Sequence, residues 1–79
     1  MHYVYILRDT AGKLYIGYSR DLKRRLSEHV RGSVSSTSVY SQPKLAWYCA
    51  FQNKKRALDF ESYLKIGSGR AFATKRLID

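Results

Sequence analysis

The sequence predicts an α/β fold of the α+β type, in which a small three-stranded antiparallel sheet is flanked by helices. Three patterns in its 79 residues lead to this fold class. Two apolar runs flank a turn that contains a glycine, which is the sequence form of a β-hairpin. Apolar residues then recur at helical spacing. Finally, a third run, residues 44–51, alternates apolar side chains at every second position with a second set of residues and precedes a second helical segment.

The hairpin is predicted to join residues 3–7 to residues 13–18 through a turn at residues 9–12. Side chains alternate along a strand, so every second residue shares a face. Tyr3, Tyr5 and Leu7 are therefore expected on one face of the first strand. Tyr15 and Gly17 are expected on one face of the second.

Symmetric pairing through the turn would place Tyr5 and Tyr15 on the same side of the hairpin. We expect Gly17, beside these two phenols, to let a ligand approach the backbone closely. The alternative is structural, because tyrosine is common in strands and either ring alone could simply cover the sheet.

The first helix is predicted over Leu22–Val30, with Ser19 or Asp21 as its N-cap and an end near Gly32. Its apolar residues follow helical spacing. They predict a buried stripe made of Leu22, Leu26 and Val30.

Residues 33–43 are rich in small hydroxyl side chains and lack periodicity, which predicts a long, mobile loop of the kind that is often functional. Residues 44–51 follow as the predicted third strand. The alternation places four side chains of this strand on one face: Leu45, Trp47, Cys49 and Phe51.

A second helix is predicted from residue 54 to about residue 66, with Asn53 as its N-cap and Gly67 as its left-handed C-terminal residue. Ser68 and Gly69 would separate it from a basic segment at residues 70–79. This segment is expected to form a last helix docked through Phe72 and Leu77.

Fifteen Lys and Arg against six Asp and Glu give a net charge of +9, which indicates a polyanionic partner. Aromatic residues among basic ones favour nucleic acid, because they combine phosphate contact with base stacking. No predicted helix pairs a wholly basic face with a bulky apolar one, so a membrane surface is not favoured. A chain of this length, residues 1–79, is expected to form one domain with an open site.

The lone Cys49 lies in an apolar stretch and has no cysteine partner in the chain, which predicts a packed thiol in a reducing, cytoplasmic setting. No stretch is long enough to span a bilayer. Because the first residues lead directly into a strand, no signal peptide is expected.

Glu61 falls among the apolar positions of the second helix, beside Ala57, Leu58 and Leu64. Such a carboxylate must be paired, hydrogen-bonded, protonated or bound to a metal, because an isolated buried charge is costly. Alternatively, its stem packs at the edge of the core while its head reaches water. Asp59 is expected on the polar side.

Arg25 and His29 are four residues apart on the first helix, at the border of its apolar stripe. There a guanidinium can hold a phosphate while the imidazole accepts or relays a proton. The alternatives are a surface arginine and a histidine that interacts with the helix end. Lys23 and Arg24 are expected to point elsewhere as solvated charges.

Together these residues resemble the GIY-YIG nuclease domain over essentially the whole chain. Tyr15, Ile16 and Gly17 match the second signature motif. Tyr5 matches the terminal tyrosine of the first motif, although Tyr3 and Val4 precede it where the motif has Gly and Ile.

Two further segments support the resemblance. Residues 21–29 resemble the family's helix with an essential arginine, including the histidine of many small bacterial members. Residues 57–65 resemble the segment that carries the metal-binding glutamate. The chain is thus similar to small stand-alone bacterial members and to the N-terminal nuclease domain of the excinuclease C subunit.

The resemblance implies a metal-dependent endonuclease acting on nucleic acid, DNA more than RNA, with no protein partner indicated. Glu61 would be the sole protein ligand of one Mg²⁺ or Mn²⁺ ion, and Arg25 would neutralise a phosphate oxygen. Tyr5 would take a proton from the attacking water and Tyr15 would orient it, with the reverse left open. We expect Arg25 and the metal to lower the phenol pKa, and His29 to accept its proton.

The residues expected to contact nucleic acid are Gly17, Arg20, Lys23, Arg24 and Lys65. The competing function is a non-catalytic, basic nucleic-acid-binding module on the same fold. A module that only binds nucleic acid needs the positive charge. It has no need of the candidate catalytic side chains, which are Tyr5, Tyr15, Arg25, His29 and Glu61. A purely structural protein would leave the net charge of +9 unexplained.

Overall fold

The computed structural model describes residues 1–32, 34 and 39–78. Seven elements follow one another within these residues. They are β1 (His2–Arg8), β2 (Leu14–Ser19), α1 (Leu22–Val30), β3 (Lys44–Phe51), α2 (Lys54–Lys65), α3 (Gly67–Phe72) and a π-helical segment, α4 (Ala73–Ile78). None of the helices in these ranges is long and apolar enough to cross a membrane.

The three strands form one antiparallel sheet in the order β2-β1-β3, which confirms the predicted hairpin and fold class. β1 is the central strand, so its backbone is hydrogen-bonded on both sides. Tyr5 lies opposite Gly17 on β2 and opposite Tyr48 on β3, and Leu7 lies opposite Tyr15. Opposite residues share a face, so Tyr5 and Tyr15 do lie on one side of the hairpin.

The two faces of the sheet have different roles. One face packs against α2 and α4 and forms the apolar core, whose fully buried members are Val4, Ile6, Ile16, Ala57, Leu64 and Ala73. The other face carries Tyr5, Leu7 and Tyr15, and His29 of α1 reaches it. β1 therefore supplies the core with Val4 and Ile6 and the opposite face with Tyr5 and Leu7.

The predicted bounds of α1 are confirmed, but its predicted buried stripe is wrong at one position. Val30 is 75% exposed, whereas His29 is 3% exposed. Leu22, Leu26 and His29 follow the helical spacing equally well, since steps of four and three residues both stay on one face. The inward position of the last turn is polar because it faces the Tyr5 hydroxyl.

The bounds of β3 are also confirmed, but its alternation is broken by a β-bulge. Ile6 pairs with Trp47 and Leu7 pairs with Leu45, so one residue of β3 is left unpaired between them. Leu45 therefore shares the face of Leu7 and is 39% exposed, contrary to the prediction. Trp47, Cys49 and Phe51 pack against the core as half-buried side chains.

The N-caps of α1 and α2 follow the sequence rules. Asp21 caps α1 by accepting a hydrogen bond from the backbone N–H of Arg24 at 3.1 Å, and Ser19 in turn bonds to the backbone of Asp21. Asn53 caps α2 by accepting from the backbone N–H of Arg56 at 3.1 Å. Each cap satisfies an amide that the helix leaves without a partner.

The C-terminal part of the chain differs from the prediction. Gly67 has the expected positive φ of 53°, but α3 begins there rather than at residue 70. Gly69 lies within α3 and is buried against the backbone of Tyr63. Glycine is needed there, because a Cβ would overlap the backbone carbonyl of Tyr63. Leu77 packs against the core as expected, whereas Phe72 is partly exposed beside Tyr63.

The predicted loop lies partly outside the described residues, which omit residues 33 and 35–38. The described part is tied to the hairpin turn by Asp9, whose carboxylate accepts from the backbone N–H groups of Ala11, Lys13 and Ser41. Burial alone would raise the pKa of Asp9, but these three hydrogen bonds outweigh it and lower the pKa.

Candidate active site

Tyr5 and His29 form the buried centre of the site. The Tyr5 side chain is completely buried, and its hydroxyl lies 2.8 Å from Nε2 of His29. Burial raises the pKa of Tyr5 to about 12, although a hydrogen bond from Arg25 opposes this shift. Burial, followed by the charge of Arg25, lowers the pKa of His29. Both groups are therefore neutral near pH 7 and share one hydrogen bond.

This balance corrects our expectation that Arg25 would lower the phenol pKa. Arg25 does act in that direction, but the loss of water around Tyr5 has the larger effect. The neighbouring charge of Glu61 also raises the pKa of Tyr5, which places this carboxylate within electrostatic range of the phenol.

Gly17 makes room for Tyr5 rather than for a ligand. A Cβ on Gly17 would lie 2.5 Å from the hydroxyl oxygen of Tyr5 and 3.0 Å from the ring of Tyr15. The open backbone that we expected at Gly17 is thus filled by the phenol of the opposite strand, and Gly17 itself is buried.

Tyr15 connects the buried centre to the surface. Its ring stands edge-on to His29 with centroids 5.2 Å apart, and its centroid lies 6.3 Å from that of Tyr5. On its other side the ring meets Tyr40 at 6.2 Å. Tyr15 is half-buried, so substrate can reach it more easily than Tyr5.

Arg25 lies between the phenol and the solvent. Its guanidinium donates to Oε1 of Glu28 at 3.0 Å, and its hydrogen bonds with Tyr5 and Glu28 raise its own pKa. Arg24 is solvated as predicted, but it does not stand apart from Arg25, because its Nε donates to Oε2 of the same glutamate at 3.3 Å. The two arginines still differ in access, with side chains 75% exposed for Arg24 and 37% for Arg25.

Sequence reasoning missed Glu28, although its spacing from both arginines predicts such contacts. Hydrogen bonds from Arg25 and then Arg24 lower the pKa of Glu28, so this carboxylate remains charged. It holds the Arg25 guanidinium in a fixed position beside Tyr5.

Glu61 is paired in this structure. Its side chain is only 17% exposed, and its Oε2 lies 3.2 Å from Nζ of Lys65. Two of the three apolar neighbours predicted for Glu61, Ala57 and Leu64, are buried. The third, Leu58, is partly exposed. Asp59 is exposed and pairs with Lys55 at 2.9 Å, as expected for the polar side.

The donor set fits one weakly held, hard metal ion. A carboxylate oxygen is the ligand that Mg²⁺ and Mn²⁺ prefer. In the described ranges no group of three or more His, Cys, Asp or Glu side chains could hold a metal. An ion at Glu61 would therefore take most of its ligands from water and substrate.

The other residues predicted to contact nucleic acid are exposed around α1 and α2. Arg20 lines grooves on both sides of α1. One groove, of about 460 Å³, also contains Tyr3, Lys23 and Tyr48. The other, of about 250 Å³, also contains Arg24, Arg25 and Glu28. Lys65 follows Glu61 by one helical turn.

Comparison with known proteins identifies the class to which this fold and side-chain cluster belong. The family model described as the GIY-YIG catalytic domain matches residues 1–74. The chain therefore belongs to the GIY-YIG family.

The similar proteins are small bacterial members of this family that carry the name UPF0213. One from Streptococcus agalactiae is 38% identical over 73 residues, which cover 91% of this chain and 83% of that protein. One from Vibrio campbellii is 35% identical over 63 residues, which cover 78% of this chain but only 61% of the longer Vibrio protein. The solution NMR structure of a UPF0213 protein from Bacillus halodurans is similar with a TM-score of 0.60 at 29% identity, covering 96% of this chain and 85% of that one.

Proposed function

We propose that this protein is a divalent-metal-dependent endonuclease that hydrolyses phosphodiester bonds in DNA. The observation that carries the proposal is the joining of Tyr5, Tyr15, Arg25 and His29 from three elements into one cluster of contacts. The charge of Glu61 reaches the same cluster. A protein that only bound nucleic acid would gain little from a buried phenol–imidazole pair.

Glu61 would hold one Mg²⁺ or Mn²⁺ ion, which when bound would stabilise the charge that develops on the leaving oxygen. In the structure the Lys65 ammonium neutralises this carboxylate, with its Nζ 3.2 Å from Oε2 of Glu61. Metal binding at Glu61 would release Lys65, whose ammonium could then contact a substrate phosphate. This arrangement supports a metal that is held firmly only when nucleic acid is present.

Arg25 would neutralise a non-bridging oxygen of the scissile phosphate. Its side chain is partly exposed, and Glu28 and Tyr5 already fix its orientation. A donor that is oriented before the substrate arrives costs no reorganisation during the reaction.

We assign the water-contacting role to Tyr15 and a proton-accepting role to the Tyr5–His29 pair, the reverse of the order that the sequence favoured. Tyr5 is fully buried and its hydroxyl already interacts with His29 and Arg25, so an attacking water has no access to it. Tyr15 is half-buried and in ring contact with both members of the pair. Neutral His29 can accept a proton through Nε2.

The proposal is tested by incubating the purified protein with labelled single-stranded, duplex and flap substrates of DNA and RNA, in Mg²⁺, Mn²⁺ or EDTA. We expect cleavage of DNA with either metal and none in EDTA. Glu61→Gln keeps the side-chain shape but removes the charge that a hard cation requires, so it should abolish cleavage while the fold survives.

Asp59→Asn is the matched control, because it removes an exposed carboxylate from the same helix and should leave cleavage unchanged. Cleavage by Glu61→Gln at the parental rate would rule out the assigned metal ligand. Tight binding of every substrate without any cleavage would assign the protein to the competing class of non-catalytic binding modules.

A further inference from the structure

A groove at the turn end of the β1–β2 hairpin is lined by basic side chains from β1, the turn and α3. Arg8 ends β1, Lys13 precedes β2 and Arg70 belongs to α3, and all three are exposed. The groove has a volume of about 320 Å³, and among the residues that the structure describes no acidic one lines it. The sequence analysis predicted no role for Arg8, Lys13 or Arg70.

These three cations differ from most basic residues near the candidate active site. Arg24, Arg25 and Lys65 each have a carboxylate partner within 3.3 Å. Within the described part of the chain, Arg8, Lys13 and Arg70 have none. An anion can therefore reach these charges without first breaking a direct ion pair, and the only described carboxylate that acts on them is Asp9, which attracts Lys13 without pairing with it.

Tyr40 joins this groove to the candidate active site. One side of its ring meets Tyr15 edge-on, its hydroxyl donates to the backbone carbonyl of Leu14 at 3.3 Å, and Nζ of Lys13 lies 4.7 Å from its ring centroid. Asp9 fixes the neighbouring Ser41 to the hairpin turn. A ligand in the groove would thus lie one aromatic ring away from Tyr15.

The basic surface extends beyond this groove. Arg8 also lines an adjoining groove of about 530 Å³, which contains Lys75 and, within residues 1–32, 34 and 39–78, no acidic residue. Two adjoining basic grooves suit a polymer with repeated negative charges better than a single small anion. Guanidinium and ammonium groups position a sugar–phosphate backbone without reading its sequence.

We propose that the groove of Arg8, Lys13 and Arg70 is a second binding surface for the sugar–phosphate backbone, which holds the substrate strand that leaves the cleavage site past Tyr40. This inference rests on the proposed function. It adds a contact surface that is separate from the residues of the reaction. The groove would set affinity and the placement of the substrate, and the chemical step would be independent of it.

The test measures binding by fluorescence anisotropy, using a labelled DNA duplex of about three helical turns in EDTA at several salt concentrations. The test protein is the double variant Lys13→Gln/Arg70→Gln. The control is Lys55→Gln/Arg56→Gln, which removes the same number and kind of charges from the exposed start of α2. Because each lost phosphate contact lowers the salt slope by about one, we expect a fall of about two in the test variant and a much smaller change in the control.

A second readout separates binding from catalysis. At saturating protein, the single-turnover cleavage rate of the test variant should equal that of the parent. Equal falls in salt slope for the two double variants would overturn the inference and leave only the general effect of net charge. A parent that binds no nucleic acid would overturn both this inference and the proposed function, whereas binding with the expected pattern but without cleavage would contradict the proposed function alone.

Discussion

Tyr5 and Tyr15 lie on one face of the same hairpin but occupy different environments. The sequence could place them together, because side-chain alternation is a property of the strand backbone. It could not show which ring is buried, because burial of Tyr5 depends on His29 from a distant helix and on the space beside Gly17. This burial explains why the phenol pKa rises where the local sequence suggested a fall.

Phenylalanine substitutions should separate the two tyrosines. Tyr5→Phe removes the partner of a buried imidazole nitrogen, so it should lower the free energy of unfolding by about 1–3 kcal/mol. Tyr15→Phe should leave stability nearly unchanged but reduce single-turnover cleavage by about two orders of magnitude or more. Urea unfolding and cleavage assays on both variants measure the two effects. Equal losses of stability would contradict the different environments that we describe.

Arg25 and Arg24 share Glu28 but should differ in their contribution to catalysis. Arg25→Ala removes the donor beside Tyr5 and should slow the cleavage step by about two to three orders of magnitude. Arg24→Ala removes a mostly exposed charge and should weaken binding modestly and in a salt-dependent way. Single-turnover rates at saturating protein distinguish them. If both variants slowed cleavage equally, Arg25 would have no special role.

At the level of the elements, the sequence predicted what local rules determine. The strands, the caps at Asp21 and Asn53 and the positive φ of Gly67 follow from propensity and backbone geometry. The bulge in β3 and the early start of α3 did not follow, because both depend on contacts between elements. The sequence suggested that Gly69 separates two segments. In the structure a glycine is required there because α3 packs closely against the backbone of Tyr63.

Substitution of Gly69 should test that packing. In Gly69→Ala the new methyl group would overlap the backbone carbonyl of Tyr63, which cannot move aside as a flexible side chain could. The junction of α2 and α3 must then open, and we expect a loss of about 3 kcal/mol in the free energy of unfolding. Ser68→Ala, at an exposed position of the same helix, should be nearly neutral. Urea denaturation compares them, and equal stability of the two variants would disprove the close approach.

At the level of the whole molecule, the net charge of +9 predicted a polyanionic partner but not where that partner binds. The sequence alone cannot show which cations are paired, because Glu28 and Glu61 each neutralise neighbours on their own helices. The basic groove at the turn end of the hairpin becomes visible only when the hairpin and α3 are brought together. Charge distribution is thus a product of the fold.

The stability of the protein should fall as the pH decreases from about 6.5. Burial lowers the pKa of His29 from its ordinary value of 6.5, so the unfolded chain binds protons more readily than the folded one. Stability is therefore complete above pH 6.5 and decreases as the pH falls towards the folded-state pKa. His2 contributes in the same direction, because burial and the N-terminal charge lower its pKa as well.

Thermal unfolding of the parent, His29→Gln and His2→Gln between about pH 7 and pH 5 measures these contributions. We expect a shallower pH dependence in both variants. Asp9 and Glu28 do not interfere in this range, because their pKa values lie below their ordinary values of 3.8 and 4.5. A pH profile that is the same in all three proteins would show that protonation of neither histidine is linked to folding.

The two faces of β1 have different roles, so a change in the register of this strand would disturb the core and the candidate active site together. Val4 and Ile6 fill the core, while Tyr5 between them enters the candidate active site. A shift of β1 by one residue against its neighbours would turn Tyr5 towards the core and an isoleucine or valine towards His29. Misaligned molecules would thus be both unstable and inactive. We therefore expect any one-residue insertion within β1 to prevent folding, so that its separate effect on cleavage could not be measured.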